Sequence, residues 1–77
     1  MEKSLIELRS KEEGVIRKIT GGRGLRERLN ALGIREKKKI VMVSGIRMGG
    51  PVVIKMDNMD IALGKGMASK VIVEVGR

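Results

Sequence analysis

The sequence predicts a mainly β domain, a small closed or nearly closed barrel of about five strands with one short α-helix between the first and second strands. Apolar residues recur at every second position over most of the chain, which is typical of strands, and only one stretch has helical spacing. With 77 residues the chain has room for one domain, residues 1–77. Two layers of so few strands could not cover each other, so a barrel is favoured over a sandwich.

The first predicted strand is residues 14–20, GVIRKIT, a β-branched run that ends at a glycine turn. The helix follows, because Leu25, Leu29 and Leu32 have the i, i+4, i+7 spacing of one helical face. We expect a short helix of about nine or ten residues, with this leucine stripe covering an open end of the barrel.

Two turns are specified by residue type. Gly33 suits the left-handed position that follows a helix, and Ile34 would then cover Leu29, as in a Schellman motif. Asp57 and Asn58 tolerate positive φ better than most residues, so they predict a two-residue hairpin turn.

The later strands alternate with a period of two. The predicted segments are residues 39–43, 52–56, 59–63 and 71–75. The hairpin turn fixes the register and places six apolar residues on one face, namely Val52, Ile54, Met56, Met59, Ile61 and Leu63. Lys55 and Asp60 then point outward, and the small residues of 64–69 interrupt the pattern before the last strand.

Composition excludes several function classes. Lys and Arg number 17 against 9 Asp and Glu, and with no histidine the net charge is +8, so we expect an acidic partner. Without cysteine there is no disulfide framework, and without aromatic residues there is no stacking platform for single-stranded nucleic acid. The sequence contains neither a nucleophile with a neighbouring base nor paired carboxylates, so we do not expect an enzyme. No secretory segment begins the chain, and the longest apolar run is residues 40–43, so we expect a cytoplasmic protein.

Most of the positive charge lies in residues 14–39, where nine basic residues face only Glu27 and Glu36, which is +7 of the total +8. This segment is either a surface that steers the domain to an acidic protein or to the anionic inner membrane leaflet, or a solvated face that keeps a small barrel soluble. The predicted electrostatic docking residues are Arg23, Arg26, Arg28, Arg35, Lys37, Lys38 and Lys39. The predicted apolar anchors are Leu25, Ile46 and Met48. Leu25 can equally belong to the core, and Ile46 and Met48 can equally pack against the rim of the barrel.

Four segments together resemble the FeoA family: the strand GVIRKI, the helical segment GGRGLRERLNALGI, the hairpin GGPVVIKM and the closing segment IALGKGMASKVIVEV. The resemblance implies an SH3-like barrel, a cytosolic component of bacterial ferrous iron uptake that acts with the membrane transporter FeoB. The same fold occurs as the C-terminal domain of metal-dependent repressors of the diphtheria-toxin-repressor type. Similar sequences usually place a Pro-Gly turn after LGI, where this chain has Glu36 and Lys37, so the turn type stays open.

We therefore expect an accessory module that binds the cytosolic GTP-binding domain of FeoB and modulates iron uptake without catalysis, with the partner's identity taken from the resemblance alone. The alternative is a basic barrel that binds nucleic acid phosphates in a regulatory or ribosomal setting, which the resemblance disfavours. No cofactor is expected, and transition metal binding is implied only for the family. Ferrous iron prefers imidazole and carboxylate to thioether, so we assign Met42, Met56 and Met59 to the core and predict no iron site. We expect a monomer or a weak homodimer.

Overall fold

The computed structural model describes residues 1–44 and 50–76, in which six antiparallel strands form a sheet. The elements, in chain order, are β1 (Glu2–Ser4), a 3-10 turn (Leu5–Glu7), β2 (Glu13–Ile19), α1 (Arg23–Ala31), β3 (Lys39–Ser44), β4 (Val52–Met56), β5 (Met59–Leu63), α2 (Lys65–Ala68) and β6 (Val71–Val75). The order of strands across the sheet is β1-β6-β2-β3-β4-β5. The prediction of a mainly β fold with a short helix between two successive strands, β2 and β3, is confirmed.

The sheet encloses an aliphatic core. One face of every strand from β2 to β6 is buried, so the sheet must curl around a common interior. The largest fully buried side chains are Leu5, Ile16, Leu29, Ile34, Ile40, Met42, Ile54, Leu63, Val52, Val71 and Val73. No side chain buried within the described ranges is polar or charged. The folded state therefore depends on apolar burial, without support from a buried ion pair.

The strand count differs from the prediction of about five, because the segment before residue 14 contributes an element. The three residues of β1 carry no apolar alternation and become a strand only by pairing with β6. The Ser4 hydroxyl accepts a hydrogen bond from the Ile6 N–H at 3.2 Å, and the Glu7 carboxylate accepts one from the Ser4 N–H at 2.8 Å. This capping box fixes the 3-10 turn and places Leu5 in the core.

The predicted hairpin is confirmed residue by residue. Asp57 and Asn58 have φ of 52° and 63°, the pair of positive values that a type I′ turn requires. The β4–β5 register places Lys55 opposite Asp60, and their side chains form an ion pair of 3.6 Å on the outer face. The segment of small residues at 64–69 contains the short helix α2, which the alternation pattern did not predict.

The end of α1 follows the predicted Schellman geometry. Gly33 has φ of 91°, its N–H donates to the Asn30 carbonyl at 2.9 Å, and the Ile34 N–H donates to the Leu29 carbonyl at 3.0 Å. The predicted leucine stripe is wrong at Leu32, which is 44% exposed. The helix ends before this residue, and Ile34, two residues further along, is fully buried.

Met59 is a second correction to the predicted core, because it is 56% exposed although it lies opposite the buried Met56. The chain at Gly33 covers Met56, since a Cβ added to Gly33 would lie 3.3 Å from the Met56 Cε atom. Met59 begins β5, the outermost strand at this side of the described sheet, so its side chain has less protein around it. The core assignments of Met42 and Met56 are confirmed.

Two partly exposed carboxylates that bond to the first residues of the chain have a lowered pKa. The Arg9 N–H donates to the Glu12 carboxylate at 3.0 Å, and this hydrogen bond is the main reason that the Glu12 pKa lies below its ordinary value. The pKa of Glu74 is lowered chiefly by a hydrogen bond from the Met1 amine. Both carboxylates tie the first residues of the chain to the rest of the barrel.

Candidate docking surface

A bulge in β2 exposes two consecutive basic residues. The pairing of β2 with β6 shifts register between Ile16 and Lys18, and both Arg17 and Lys18 are exposed. A regular strand would turn one of the two toward the core, because successive side chains point to opposite faces. The bulge therefore adds two cations to the outer surface, and Arg17 forms an ion pair of 3.6 Å with Glu2.

The turn formed by residues 35–38 holds further cations beside this strand. The Lys38 N–H donates to the Arg35 carbonyl at 3.3 Å, and Lys37 has φ of 74°, the positive value that a type II turn requires at its third residue. The turn is attached to β2, because the Lys37 N–H donates to the Ile16 carbonyl at 2.7 Å and the Ile16 N–H donates to the Lys38 carbonyl at 2.8 Å. Although the Pro-Gly pair is missing, Lys37 still adopts the left-handed conformation at the third position of the turn.

The helix divides its basic residues between two flanks. Arg26 and Asn30 are four residues apart, so they lie on the same flank of α1. Arg28 is two residues from Arg26, which is about 200° around the helix axis at 3.6 residues per turn, so it faces away from Arg26. The predicted docking set therefore does not form one continuous surface.

The flank with Arg26 and the turn at 35–38 enclose an open groove of about 280 Å³, here called the Arg26–Arg35 groove. The residues that line it are Ile19, Arg26, Asn30, Arg35 and Glu36. The helix and the turn that follows it thus line one depression with two arginines and an asparagine. A neighbouring groove of about 460 Å³, lined in part by Arg17, Lys18 and Lys37, shares Glu36 with it.

The cations of the Arg26–Arg35 groove have no acidic partner in the described part of the chain. Among the predicted docking cations, the ion pair found in residues 1–44 and 50–76 joins Lys38 to Asp57, at 2.7 Å. Neither Arg26 nor Arg35 makes an ion pair within those ranges, and the Asn30 side-chain amide makes no hydrogen bond there. Their polar groups face solvent and are available to a ligand.

The other predicted docking residues are placed differently. Arg23 is exposed in the first turn of α1, on the same flank as Arg26. Leu25 is half-buried and packs against the core, so the structure gives it a core role at the barrel edge. Lys39 begins β3 and lines a separate groove with Glu13 and Glu74. The predicted anchors Ile46 and Met48 lie outside the described residues.

The predicted docking set left out four residues of this surface, namely Arg17, Lys18, Ile19 and Asn30, although the first two were counted in the basic segment 14–39. The pattern that could have indicated the first two is the break in alternation within GVIRKIT, where two basic residues follow each other in a strand. Ile19 and Asn30 become part of the groove only when the turn folds back onto β2.

Metal-binding clusters and membrane-spanning helices are both absent from the part of the chain that the structure describes. Residues 1–44 and 50–76 contain no group of three His, Cys, Asp or Glu side chains placed to hold a metal ion. Over the same ranges, neither helix is long and apolar enough to cross a membrane. The expectation that the chain holds no iron stays a prediction.

The family assignment is decided by one comparison. The FeoA domain family model matches residues 3–75 of the chain. The chain belongs to the FeoA family. FeoA proteins are small accessory proteins of ferrous iron transport, which agrees with the family indicated by the sequence segments.

Relatives and solved structures support the same family and fold. The FeoA chain is 36% identical over 63 residues to a protein of Methanocaldococcus jannaschii named Fe(2+) transport protein A, a match that spans 82% of this chain and 74% of that protein. A crystal structure titled iron uptake regulatory protein (FeoA) has a TM-score of 0.87 and 28% identity, with 96% of each chain covered. The SH3-like barrel implied by the resemblance is confirmed.

The fold also occurs inside longer regulators. A manganese-dependent transcriptional repressor matches with a TM-score of 0.88 over 97% of this FeoA chain, but the match covers 42% of the repressor and the identity is 16%. This likeness shows the fold alone. It agrees with the expectation that the barrel recurs as one domain of metal-dependent repressors.

Proposed function

We propose that this FeoA chain is a cytoplasmic accessory protein of ferrous iron uptake that binds the cytosolic GTP-binding domain of the transporter FeoB and modulates it without catalysis. Membership of the FeoA family supports the setting in iron transport. The observation that carries the binding proposal is the Arg26–Arg35 groove, whose two exposed arginines have no acidic partner within the described ranges. Such a surface is complementary to an acidic protein.

Electrostatic attraction gives this surface a definite role in association. With a net charge of +8, most of it in residues 14–39, the barrel is drawn toward negative surfaces and oriented as it approaches them. Opposite charges on the rim of an interface raise the association rate more than they raise the final affinity. Apolar contact must supply the rest of the binding free energy, and Ile46 and Met48 are the predicted sources.

Modulation follows from differential binding. If FeoA binds one conformation of the GTP-binding domain more tightly than another, it raises the population of that conformation by the ratio of the two affinities. No chemistry by FeoA is needed for this effect. The sign of the modulation depends on which conformation carries the more complementary acidic surface.

Calorimetric titration with the FeoB GTP-binding domain, at low and at physiological salt, tests the proposal. The chain contains no Trp or Tyr, so heat is a better readout than its own fluorescence. We expect saturable binding that weakens but persists at physiological salt, whereas binding to duplex DNA fades. Salt-resistant DNA binding with no binding to the domain would instead favour a nucleic acid module.

The proposed membrane recruitment and oligomeric state have their own tests. The basic surface would add contact with the anionic inner leaflet once FeoA is bound to its transporter. Co-sedimentation with vesicles containing phosphatidylglycerol, compared with neutral vesicles, measures that contribution.

Analytical ultracentrifugation is expected to show a monomer or a weak homodimer, and a concentration-independent larger species would contradict this.

A further inference from the structure

We infer that the Arg26–Arg35 groove is the position at which FeoA binds a single carboxylate side chain of its protein partner. The inference rests on the proposed function for the partner, but the site itself is defined by this chain. It goes further than a general basic surface, because it names the groove, the ligand group and the residues that orient it.

The groove has the donors that a carboxylate needs. Arg26 and Arg35 each offer a planar guanidinium fork, which matches the two oxygens of a carboxylate and can donate two hydrogen bonds to it. The Asn30 amide lies four residues along the same flank of α1 and can donate a further bond. None of these three side chains is paired elsewhere in the described ranges, so no internal contact has to break on binding.

The remaining lining residues favour a carboxylate on an aliphatic stem over a phosphate. Ile19 is half-buried in the groove and gives a methylene stem an apolar surface to contact. Glu36 also lines the groove and adds a negative charge beside the two arginines. The two arginines and Glu36 together leave one uncompensated positive charge, which a single carboxylate neutralises, whereas a doubly charged phosphate would leave excess negative charge in the groove. A glutamate side chain of the partner therefore fits best.

The fold holds the backbones of the two arginines in fixed relation. Arg26 is held by α1, which buries Leu29 in the core and ends in the Schellman turn at Gly33. Arg35 is held by the turn whose backbone bonds to β2 at Ile16, at 2.7 and 2.8 Å. Because both supports are rigid elements, little backbone entropy is lost when a carboxylate enters the groove.

An NMR titration of the full, ¹⁵N-labelled chain tests the site without assuming the partner. The probe is a blocked alanine peptide containing one glutamate, and the control is the same peptide with one glutamine. We expect the Nε–H signals of Arg26 and Arg35 and the side-chain amide of Asn30 to shift saturably with the glutamate peptide only, while the Arg28 signal stays in place. Equal shifts at Arg28, no saturable shift, or tighter binding of inorganic phosphate at the same ionic strength would overturn the inference.

Substitutions then connect the groove to the partner. Arg26→Gln and Arg35→Gln should each lower the affinity for the FeoB GTP-binding domain by about tenfold, since each removes a charged donor to the carboxylate. Arg28→Gln removes the same charge from the opposite flank of α1 and is the matched control, with an expected change of less than about twofold. Arg26→Lys keeps the charge but loses the fork, so it should lose part of the affinity.

The two proposals fail in different ways. If the domain binds but Arg26→Gln and Arg28→Gln weaken binding equally, the groove is not the carboxylate site and the proposed function stands. If the glutamate peptide occupies the groove but the domain does not bind, the site stands and the proposed partner is wrong. Circular dichroism of each variant confirms that the fold is unchanged.

Discussion

Lys37 holds a left-handed backbone conformation, with φ of 74°, that glycine would adopt at lower cost. We predict that Lys37→Gly raises the free energy of unfolding by about 0.5 to 1 kcal/mol, because the strain of a Cβ in this conformation exceeds the extra chain entropy that glycine loses. Urea denaturation followed by circular dichroism measures the change.

The matched control for this change is Lys39→Gly. Lys39 is two residues further along the chain, carries the same charge and begins β3 without a positive φ. Glycine there is expected to lower the free energy of unfolding by about 0.5 to 1 kcal/mol, as glycine does in strands. If both variants gain stability, charge removal rather than backbone conformation is the cause.

Leu29 and Leu32 look alike in the sequence but differ in burial. Leu29 is fully buried and Leu32 is 44% exposed. Leu29→Ala should therefore lower the free energy of unfolding by about 2 to 5 kcal/mol, through lost apolar transfer and a cavity. Leu32→Ala should change it by no more than about 0.5 kcal/mol. Chemical denaturation of both variants decides the point, and equal losses would contradict the assigned end of the helix.

At the level of elements, the turn from Arg9 to Glu12 makes the start of the barrel sensitive to acid. The Arg9 N–H bonds to the ionised Glu12 carboxylate, and Lys3 lies 3.4 Å from the same group. The pKa of Glu12 is lower in the folded chain than its ordinary value of 4.5. Its contribution is therefore present above that value and is lost as the pH falls through the lowered folded pKa.

We predict that Glu12→Gln reduces the loss of stability on acidification without abolishing it, because the lowered pKa of Glu74 contributes in the same direction. Thermal unfolding followed by circular dichroism, between neutral pH and about pH 3, measures the dependence across the range where carboxylates titrate. Glu27→Gln changes an exposed acid on α1 and is the control. A Glu12→Gln curve parallel to that of the unaltered chain would contradict the role of this carboxylate.

Over the whole molecule, the positive charge should act on the rate of association. The net charge is +8, and +7 of it lies in residues 14–39. We predict that raising the ionic strength from about 0.01 M to about 0.15 M slows association with the FeoB GTP-binding domain by about tenfold or more, since the Debye length shortens from roughly 30 to 8 Å. The dissociation rate should change much less.

Surface-based binding kinetics over that salt range test this prediction. Arg28→Gln and Arg26→Gln lower the net charge equally, so both should reduce the salt dependence of association to a similar extent. Their dissociation rates should differ, because only Arg26 lies in the groove proposed for the carboxylate. A salt-independent association rate would show that long-range attraction does not guide this encounter.

The sequence by itself determined the parts of the molecule that depend on local chemistry. Gly33 ends α1, and Asp57 and Asn58 form the hairpin, because few residue types adopt positive φ at low cost. The two-residue alternation then assigns most of the core. The motifs of the chain also indicate the FeoA family, and the family model match shows it.

Only the tertiary structure decided which cations share a site and which apolar residues stay exposed. Arg26 and Arg35 line one groove because the turn at 35–38 bonds to β2, whereas Arg28, closer to Arg26 in sequence, faces the other way. β1 is a strand because it pairs with β6, and Met59 is exposed because it begins β5, the last strand in the order across the sheet. Contacts between segments distant in sequence set these features, and residue spacing carries no information about such contacts.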